Sequence, residues 1–410
     1  MPMTEEREME KKKGRGFAKL ALFLLIVAIV LGVSLYAFLD INPADVFIQG
    51  FNTVYNRAVE KGTQELTEKE KLILSYADNE PLSVAAVSGD LVVADKSSVR
   101  VFDMDGREKA YFAVNLKKPY VQSYKKDVLI ADLDGNYIGV INEGMMLWEK
   151  NFEEEIVYAG LSENWVLLIT KSKESGYKRS IRAWSRDGQE VSIRNISNYY
   201  PFAVHHYPQF DNATFVASGI DASGLEVNGF FEFLDPAMSQ KGSIKGDQEI
   251  LVKGASLKNN LLLYGEKSLI LVDRQLKTIW EKKFTESRLT SVNVIDGKHP
   301  IIAELNMEAY SRENRSETYL KILNEDSSER HKLVIDDFVT GIVTKGRTAA
   351  VLAGSEVLFV NDDGDIMDTF TSKTDVLDVC LASNDLAYIV TSGGIVRVNV
   401  NVSHKFLGIF

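Results

Sequence analysis

Two adjacent histidines, His205 and His206, are the residues whose type most directly suggests chemistry, because imidazole nitrogens are common metal ligands. They fall in a stretch that we expect to form a β-strand, and neighbouring residues of a strand point to opposite faces. Both rings therefore cannot easily bind one ion. We predict no metal at this pair, and nothing else in the sequence indicates a cofactor.

Two acidic segments, residues 132–136 and 361–365, resemble the start of a calcium-binding loop. Neither is followed by the distal glutamate that completes an EF-hand site. Each contains an Asp-Gly pair, which is typical of a tight hairpin turn. We therefore predict turns at both places.

Sequence motifs for catalysis are missing: the chain has no G-x-S-x-G, no phosphate-binding loop and no His/Glu metal helix. Carboxylates are plentiful, but a pair that cleaves glycosidic bonds is defined by its separation in space. We expect a non-enzymatic protein, with an envelope carbohydrate-binding or glycan-cleaving protein as the alternative.

Cationic and aromatic side chains near loops are the candidates for contact with a partner, because such residues dominate binding energy at protein interfaces. The candidates are Lys178, Arg179, Tyr199, Tyr200, Arg312 and Arg315.

A repeated segment shows which elements position these candidates. Residues 137–152, YIGVINEGMMLWEKNF, recur as residues 269–284, LILVDRQLKTIWEKKF. Weaker copies along the chain give eight units with a mean spacing of about 42 residues, which is typical of a propeller. The residues that end the third strand of each unit are Asp103, Asn142, Ser185, Asp235, Asp273, Asn324, Asn361 and Asn399. The spacing predicts an all-β, eight-bladed β-propeller, with seven blades as the alternative.

Each unit is predicted to contain four short strands joined by hairpin turns. In the first two units they are residues 83–87, 91–95, 99–103, 110–114, 120–124, 127–132, 137–142 and 146–152. Residues 404–410 could supply a last strand, and residues 72–76 could add an outer strand that closes the ring. We predict that Trp148 and Trp280 pack between blades.

Three units are longer than the others because of residues 171–180, 218–229 and 306–318, which connect the second and third strands. In a propeller these loops lie on the same face as the segments that connect blades, such as residues 198–201. Long loops on a rigid scaffold often carry binding sites. This face is therefore predicted to bind the partner.

The pattern of an apolar run, Asn or Asp, a turn and a tryptophan, clearest at residues 140–152 and 271–284, is similar to the repeats of quinoprotein-like (PQQ-like, WD40-like) eight-bladed propellers. That group includes the outer-membrane assembly lipoprotein and the quinoprotein alcohol dehydrogenases. The dehydrogenases carry a quinone over a calcium ion and a vicinal disulfide. The single cysteine, Cys380, rules out such a disulfide, so the resemblance implies the scaffold branch.

Residues 17–39 form an apolar stretch with a single charge, Lys19, at its edge. At 1.5 Å per residue the stretch spans about 30 Å of hydrocarbon, which predicts a transmembrane helix. A basic cluster within residues 11–15 precedes it, so residues 1–16 are expected in the cytoplasm and the body outside. A cleaved signal peptide is the alternative. Residues 40–71 are predicted as a juxtamembrane helix and linker, and residues 72–410 as the propeller.

The formal net charge of −11 disfavours a nucleic-acid partner, because binding phosphate requires a concentrated basic face. The predicted arrangement, one transmembrane helix followed by a propeller, resembles that of a family of single-pass bacterial membrane proteins. This family is known only as a domain of unknown function. We therefore expect a membrane-anchored, extracytoplasmic scaffold that binds a protein of the cell envelope. A ligand sensor is the weaker alternative.

Overall fold

The computed structural model describes residues 66–76, 82–208, 210, 214–222, 224, 226–246, 248–313 and 315–400. Within this part of the chain, 32 strands form eight antiparallel sheets of four strands each. The prediction of an all-β, eight-bladed propeller is confirmed. The predicted transmembrane and juxtamembrane helices lie outside the described residues, and no helix inside them is long and apolar enough to cross a membrane.

In the first four blades the strands follow one another in chain order from the channel outwards. Their strands are β2 Ser83–Val87, β3 Asp90–Ala94, β4 Ser98–Phe102, β5 Glu108–Ala113, β6 Pro119–Tyr124, β7 Asp127–Asp132, β8 Tyr137–Asn142, β9 Met145–Asn151, β10 Ile156–Leu161, β11 Trp165–Lys171, β12 Arg179–Ser185, β13 Glu190–Ile196, β14 Tyr200–His206, β15 Phe215–Asp221, β16 Asn228–Leu234 and β17 Gln240–Lys245. The boundaries of the eight strands predicted in the first two units agree to within two residues.

Blades five to seven repeat this order, and blade eight takes its fourth strand from the beginning of the described chain. The strands are β18 Leu251–Leu257, β19 Asn260–Gly265, β20 Ser268–Val272, β21 Thr278–Lys283, β22 Ser287–Ile295, β23 His299–Asn306, β24 Thr318–Leu323, β25 Glu329–Ile335, β26 Val339–Lys345, β27 Thr348–Ala353, β28 Glu356–Asn361, β29 Ile366–Thr371, β30 Val376–Leu381, β31 Leu386–Thr391, β32 Gly394–Asn399 and, from the chain start, β1 Glu70–Ser75.

The ring is closed by the antiparallel pairing of β1 with β32, in which Glu70 lies opposite Val398 and Ser75 opposite Gly394. Blade eight is therefore built from strands at both ends of the described chain, as we predicted for an outer strand near residues 72–76. The predicted strand at residues 404–410 lies outside the described residues. Closure covers the sheet faces that the first and last blades of an open array would expose.

Eight apolar clusters hold the blades together, and each lies between two neighbouring blades. The middle strands are buried on both faces, as in β7, where all six residues are buried. The outermost strands alternate between exposed and half-buried residues, as in β21. Because adjacent strand residues point to opposite faces, each blade buries side chains against both of its neighbours.

Trp148 and Trp280 pack between blades as predicted. The indole Nε1 of Trp148 donates to the carbonyl oxygen of Arg186 in the next blade at 2.7 Å, and Trp280 donates to Glu325 at 2.8 Å. Other blades fill the same position differently. Gly242 takes the place of the tryptophan in blade four, and Leu276 of blade five reaches into the space it leaves.

The two calcium-like segments form turns. In residues 361–365 the Asn361 Oδ1 accepts the backbone N–H groups of Asp363 and Asp365, and Gly364 has a φ of 86° that suits glycine. In residues 132–136 the Asp132 carboxylate accepts two backbone N–H groups from the segment before β6. The Asn361 amide and the Asp132 carboxylate thus fix local backbone structure.

One short helix, α1 Met307–Glu313, lies in the long loop of blade six. Asn306 caps it, since its Oδ1 accepts the backbone N–H groups of Glu308 and Ala309. Arg312 pairs with Glu308 one turn earlier. The sequence did not indicate this helix, because two turns are too short to show a helical period.

We expect the substitution Gly394→Ala to weaken ring closure. A Cβ atom at this position would lie 2.5 Å from the carbonyl oxygen of Leu74 in β1, so the paired strand would have to shift. The free energy of unfolding should fall by about 1–3 kcal/mol, measured by urea denaturation. Gly393→Ala is the control, since a Cβ there meets no atom within 4 Å. Equal stability of the two variants would contradict closure by this strand pair.

Candidate functional site

The three long loops leave the ends of the second strands, which is also the end where one blade connects to the next. They comprise residues 172–178 in blade three, 222–227 in blade four and 307–317 in blade six. Together with the segments between blades they form one side of the ring, which we call the loop-rich face. The predicted location of the extended loops agrees with the structure.

Three of the predicted candidates lie together on this face. The Nζ atom of Lys178 lies 4.3 Å from the ring centroid of Tyr200, and the guanidinium carbon of Arg179 lies 5.8 Å from it. Arg179 also donates to the carbonyl oxygen of Pro201 at 2.6 Å, which fixes its position. The result is an aromatic ring, 42% exposed, between two cations.

Tyr199 is not on the surface, so its inclusion among the partner-contacting candidates is wrong. Its side chain is 1% exposed, and its hydroxyl donates to the buried carboxylate of Glu232. Burial, followed by the Glu232 charge, raises the pKa of Tyr199 well above its ordinary value. Arg194 of the preceding blade donates to the other oxygen of Glu232 at 2.8 Å. This group joins blades three and four.

The remaining candidates, Arg312 and Arg315, belong to the loop of blade six, three blades beyond Lys178. Arg312 is exposed and paired with Glu308. Arg315 lies 2.8 Å from Glu317 and 3.6 Å from Asp336. Both cations lie on the loop-rich face but are separate from the Tyr200 cluster.

Exposed aromatic residues concentrate on the loop-rich face. Of the five aromatic side chains that are exposed in the described part of the chain, four lie there, and they are Tyr177, Tyr200, Tyr310 and Phe338. Val227 and Ile250 are exposed on the same face. Only Tyr200 was singled out from the sequence. The other exposed residues of this face could have been identified from the sequence, because each is an aromatic or apolar residue inside a loop or between two blades.

A central cavity of about 680 Å³ lies along the axis of the ring. It is lined by the innermost strands of blades two to six, namely β6, β10, β14, β18 and β22. Its aromatic and polar lining includes Tyr120, Tyr158, Phe202, His205, His206, Tyr207, Lys253 and Asn293. No periodic pattern in the sequence marks this lining, because it is assembled from residues about 40 positions apart.

Strand bulges shape the cavity wall. The innermost strands of six blades, from blade three to blade eight, have a shift in register near their start. In β14 and β18 the residues left unpaired are Phe202 and Val252, and both line the cavity. A bulge bends its strand and redirects side chains. The residues that follow, Tyr158 in β10 and Lys253 in β18, occupy equivalent positions in their blades.

His205 is a half-buried, uncharged member of this wall. Its Nδ1 and the Tyr158 hydroxyl are 3.0 Å apart and share a hydrogen bond. Burial, and then the charge of Lys253, lower the pKa of His205 to about 3. Within the described residues, no group of three or more His, Cys, Asp or Glu side chains could hold a metal ion.

A second cavity of about 440 Å³ lies between blades one and two on the opposite face. Its walls include Val92, Val101, Val128 and Ile141. Ala110 lies opposite Val101, at the position where Trp148 lies opposite Val140 in the next blade. The small side chain leaves the space that an indole occupies elsewhere.

We expect acid to destabilise the propeller through His205. The folded state binds no proton on this ring between pH 6.5 and about 3, whereas the unfolded chain does. The stability that depends on the neutral ring is therefore complete above pH 6.5 and is lost as the pH falls towards 3, at up to about 1.4 kcal/mol per pH unit. Urea denaturation at pH 7 and pH 5 should show a smaller difference for His205→Gln than for the unsubstituted protein. An unchanged pH dependence would contradict this role.

The sheets, the closed ring and the bulged inner strands define an eight-bladed β-propeller whose structural neighbours are BamB-like and WD40-like. No protein-family model matches the chain, and no curated protein sequence matches it.

Solved structures resemble the chain closely in fold and little in sequence. BamB from Moraxella catarrhalis is 15% identical with a TM-score of 0.55, over 82% of this chain and 98% of that chain. Sqt1 from Saccharomyces cerevisiae is 11% identical with a TM-score of 0.57, over 80% and 98%. The WD40 domain of SCAP from fission yeast is 10% identical with a TM-score of 0.52, over 81% and 98%. At these identities the likeness establishes the fold alone.

Proposed function

We propose that this protein is a membrane-anchored, extracytoplasmic scaffold that binds a protein of the cell envelope through its loop-rich face. The observation that carries the proposal is the concentration of exposed aromatic residues there, four of five in the described part of the chain. Aromatic residues and arginine are enriched at protein interfaces, and they supply most of the binding energy. The opposite face and the outer strands offer a single exposed aromatic, Tyr111.

Charge adds to the argument for this face. Lys178 and Arg179 flank Tyr200, and Arg312 and Arg315 project from the loop of blade six. Aromatic rings bordered by cations suit a partner that brings apolar side chains and carboxylates together. The predicted transmembrane helix at residues 17–39 would anchor the propeller to the membrane.

Replacement of Tyr200 by alanine should weaken binding of the partner strongly. Truncation of a central aromatic residue costs about 2 kcal/mol or more, which corresponds to roughly a 30-fold loss of affinity. A photo-crosslinking amino acid at position 310 in the full-length protein, in native membranes, should identify the partner, and Tyr200→Ala should remove that crosslink. The control is Tyr111→Ala, which removes an exposed ring, 56% against 42% for Tyr200, from the outer strand β5. A partner whose crosslink depends equally on Tyr111 and Tyr200 would contradict the proposal.

The proposed orientation in the membrane has a separate test. Lys96 lies in an exposed turn, so Lys96→Cys places a thiol on the surface of the propeller. The only native thiol, Cys380, gives little background, because burial raises its pKa and limits its reactivity. A maleimide that cannot cross membranes should label the variant on intact cells. Labelling only after permeabilisation would contradict an extracytoplasmic propeller.

A further inference from the structure

We propose that the central cavity binds a small organic anion, a carboxylate or phosphate attached to a ring, through the ammonium group of Lys253. The proposal goes beyond the scaffold role, because it concerns the interior of the ring and none of the residues on the loop-rich face. It depends on three observations, which are an unpartnered cation, a cavity of suitable size and aromatic walls.

Lys253 lines the cavity and forms no ion pair, hydrogen bond or ring contact with any other described residue. Lys253 is exposed to this cavity, whereas two half-buried cations elsewhere in the propeller have carboxylate partners. Lys321 lies 2.7 Å from Glu304, and Arg194 lies 2.8 Å from Glu232. A cation inside the protein normally acquires such a partner, since removing it from water is costly. Lys253 has no such partner among the residues that the structure describes.

The electrostatics around Lys253 favour an incoming anion. Burial alone lowers the pKa of Lys253, with no carboxylate acting against it. Asp378 occupies the equivalent position in β30, but its carboxylate accepts the backbone N–H of Val379, and burial raises its pKa. His205, which feels the charge of Lys253, is neutral. An anion would therefore meet one uncompensated positive charge in a partly desolvated site, where attraction is stronger than in water.

The shape and lining of the cavity indicate the rest of the ligand. A volume of about 680 Å³ falls within the range of small-molecule sites. The rings of Tyr120, Tyr158 and Phe202 contribute to its wall, and such rings favour offset or edge-on contact with another ring. The Tyr207 hydroxyl is already used, because it donates to the carbonyl oxygen of Gly254 at 2.6 Å.

Binding can be measured by isothermal titration of the full-length protein with three probes of similar size. Benzoate carries a carboxylate, phenyl phosphate carries a phosphate, and benzyl alcohol is neutral. At least one anionic probe should bind tenfold or more tightly than benzyl alcohol, and its affinity should fall as sodium chloride is added. The anion that binds more tightly shows whether a carboxylate or a phosphate is the preferred group.

Two lysine variants provide the matched comparison. Lys253→Met should reduce the affinity for the anion to the level of benzyl alcohol. Lys258→Met makes the same change in the same blade, but Lys258 lies outside the cavity and pairs with Glu325, so anion binding should be unaffected. Lys253→Arg keeps the charge and should retain most of the affinity. This variant also tests the proposal if Lys253→Met does not fold.

Three results would overturn the proposal. The first is equal affinity for the neutral and the anionic probes. The second is an equal effect of Lys253→Met and Lys258→Met on anion binding. The third is no binding of any probe at about 10 mM, which is far weaker than a functional site of this size requires.

Discussion

Burial of both faces of each sheet against its two neighbours is the constraint on which the structure depends. A blade has no apolar core of its own, since its middle strands, such as β7, are buried on both sides by other blades. The side chains between blades are matched in size across the interface. Trp148 lies over Gly188 of the next blade, and Leu276 reaches towards Gly242 of the blade before it. The eight blades are therefore stable only as a closed set.

This constraint also determines where a binding site can be. Most backbone groups of the strands bond within their own sheets, and most side chains between blades are committed to packing. The segments left free to vary are the loops at the strand ends and the innermost strands around the axis. The loop-rich face is built from the loops at the strand ends, where Tyr200 lies next to Lys178 and Arg179. The central cavity is lined by the innermost strands, and bulges in these strands place Phe202 and Lys253 on its wall.

Much of the fold could be predicted because its signals are local and repeated. The tryptophan after an apolar run occurs in two blades, Asp-Gly turns occur in several, and the ends of the third strands recur about every 42 residues. The candidate site was harder to predict from the sequence than the fold. Tyr199 and Tyr200 are neighbours in sequence, yet one is buried against Glu232 and the other is exposed, since they lie on opposite sides of the chain where β14 begins. Lys253 could not be singled out from the sequence, because only the closed ring shows that it lacks a partner among the described residues.

The pairing of β1 with β32 has a mechanical consequence. β1 is the first strand of the described chain, and within the described residues its sheet partner is β32 alone. A pulling force applied to the chain ahead of Glu70 is therefore carried mainly by the hydrogen bonds between β1 and β32 in blade eight. Resistance to such a force is governed by the rate of unfolding and not by equilibrium stability. The pairing that completes the ring is thus also the point at which tension on the chain enters the propeller.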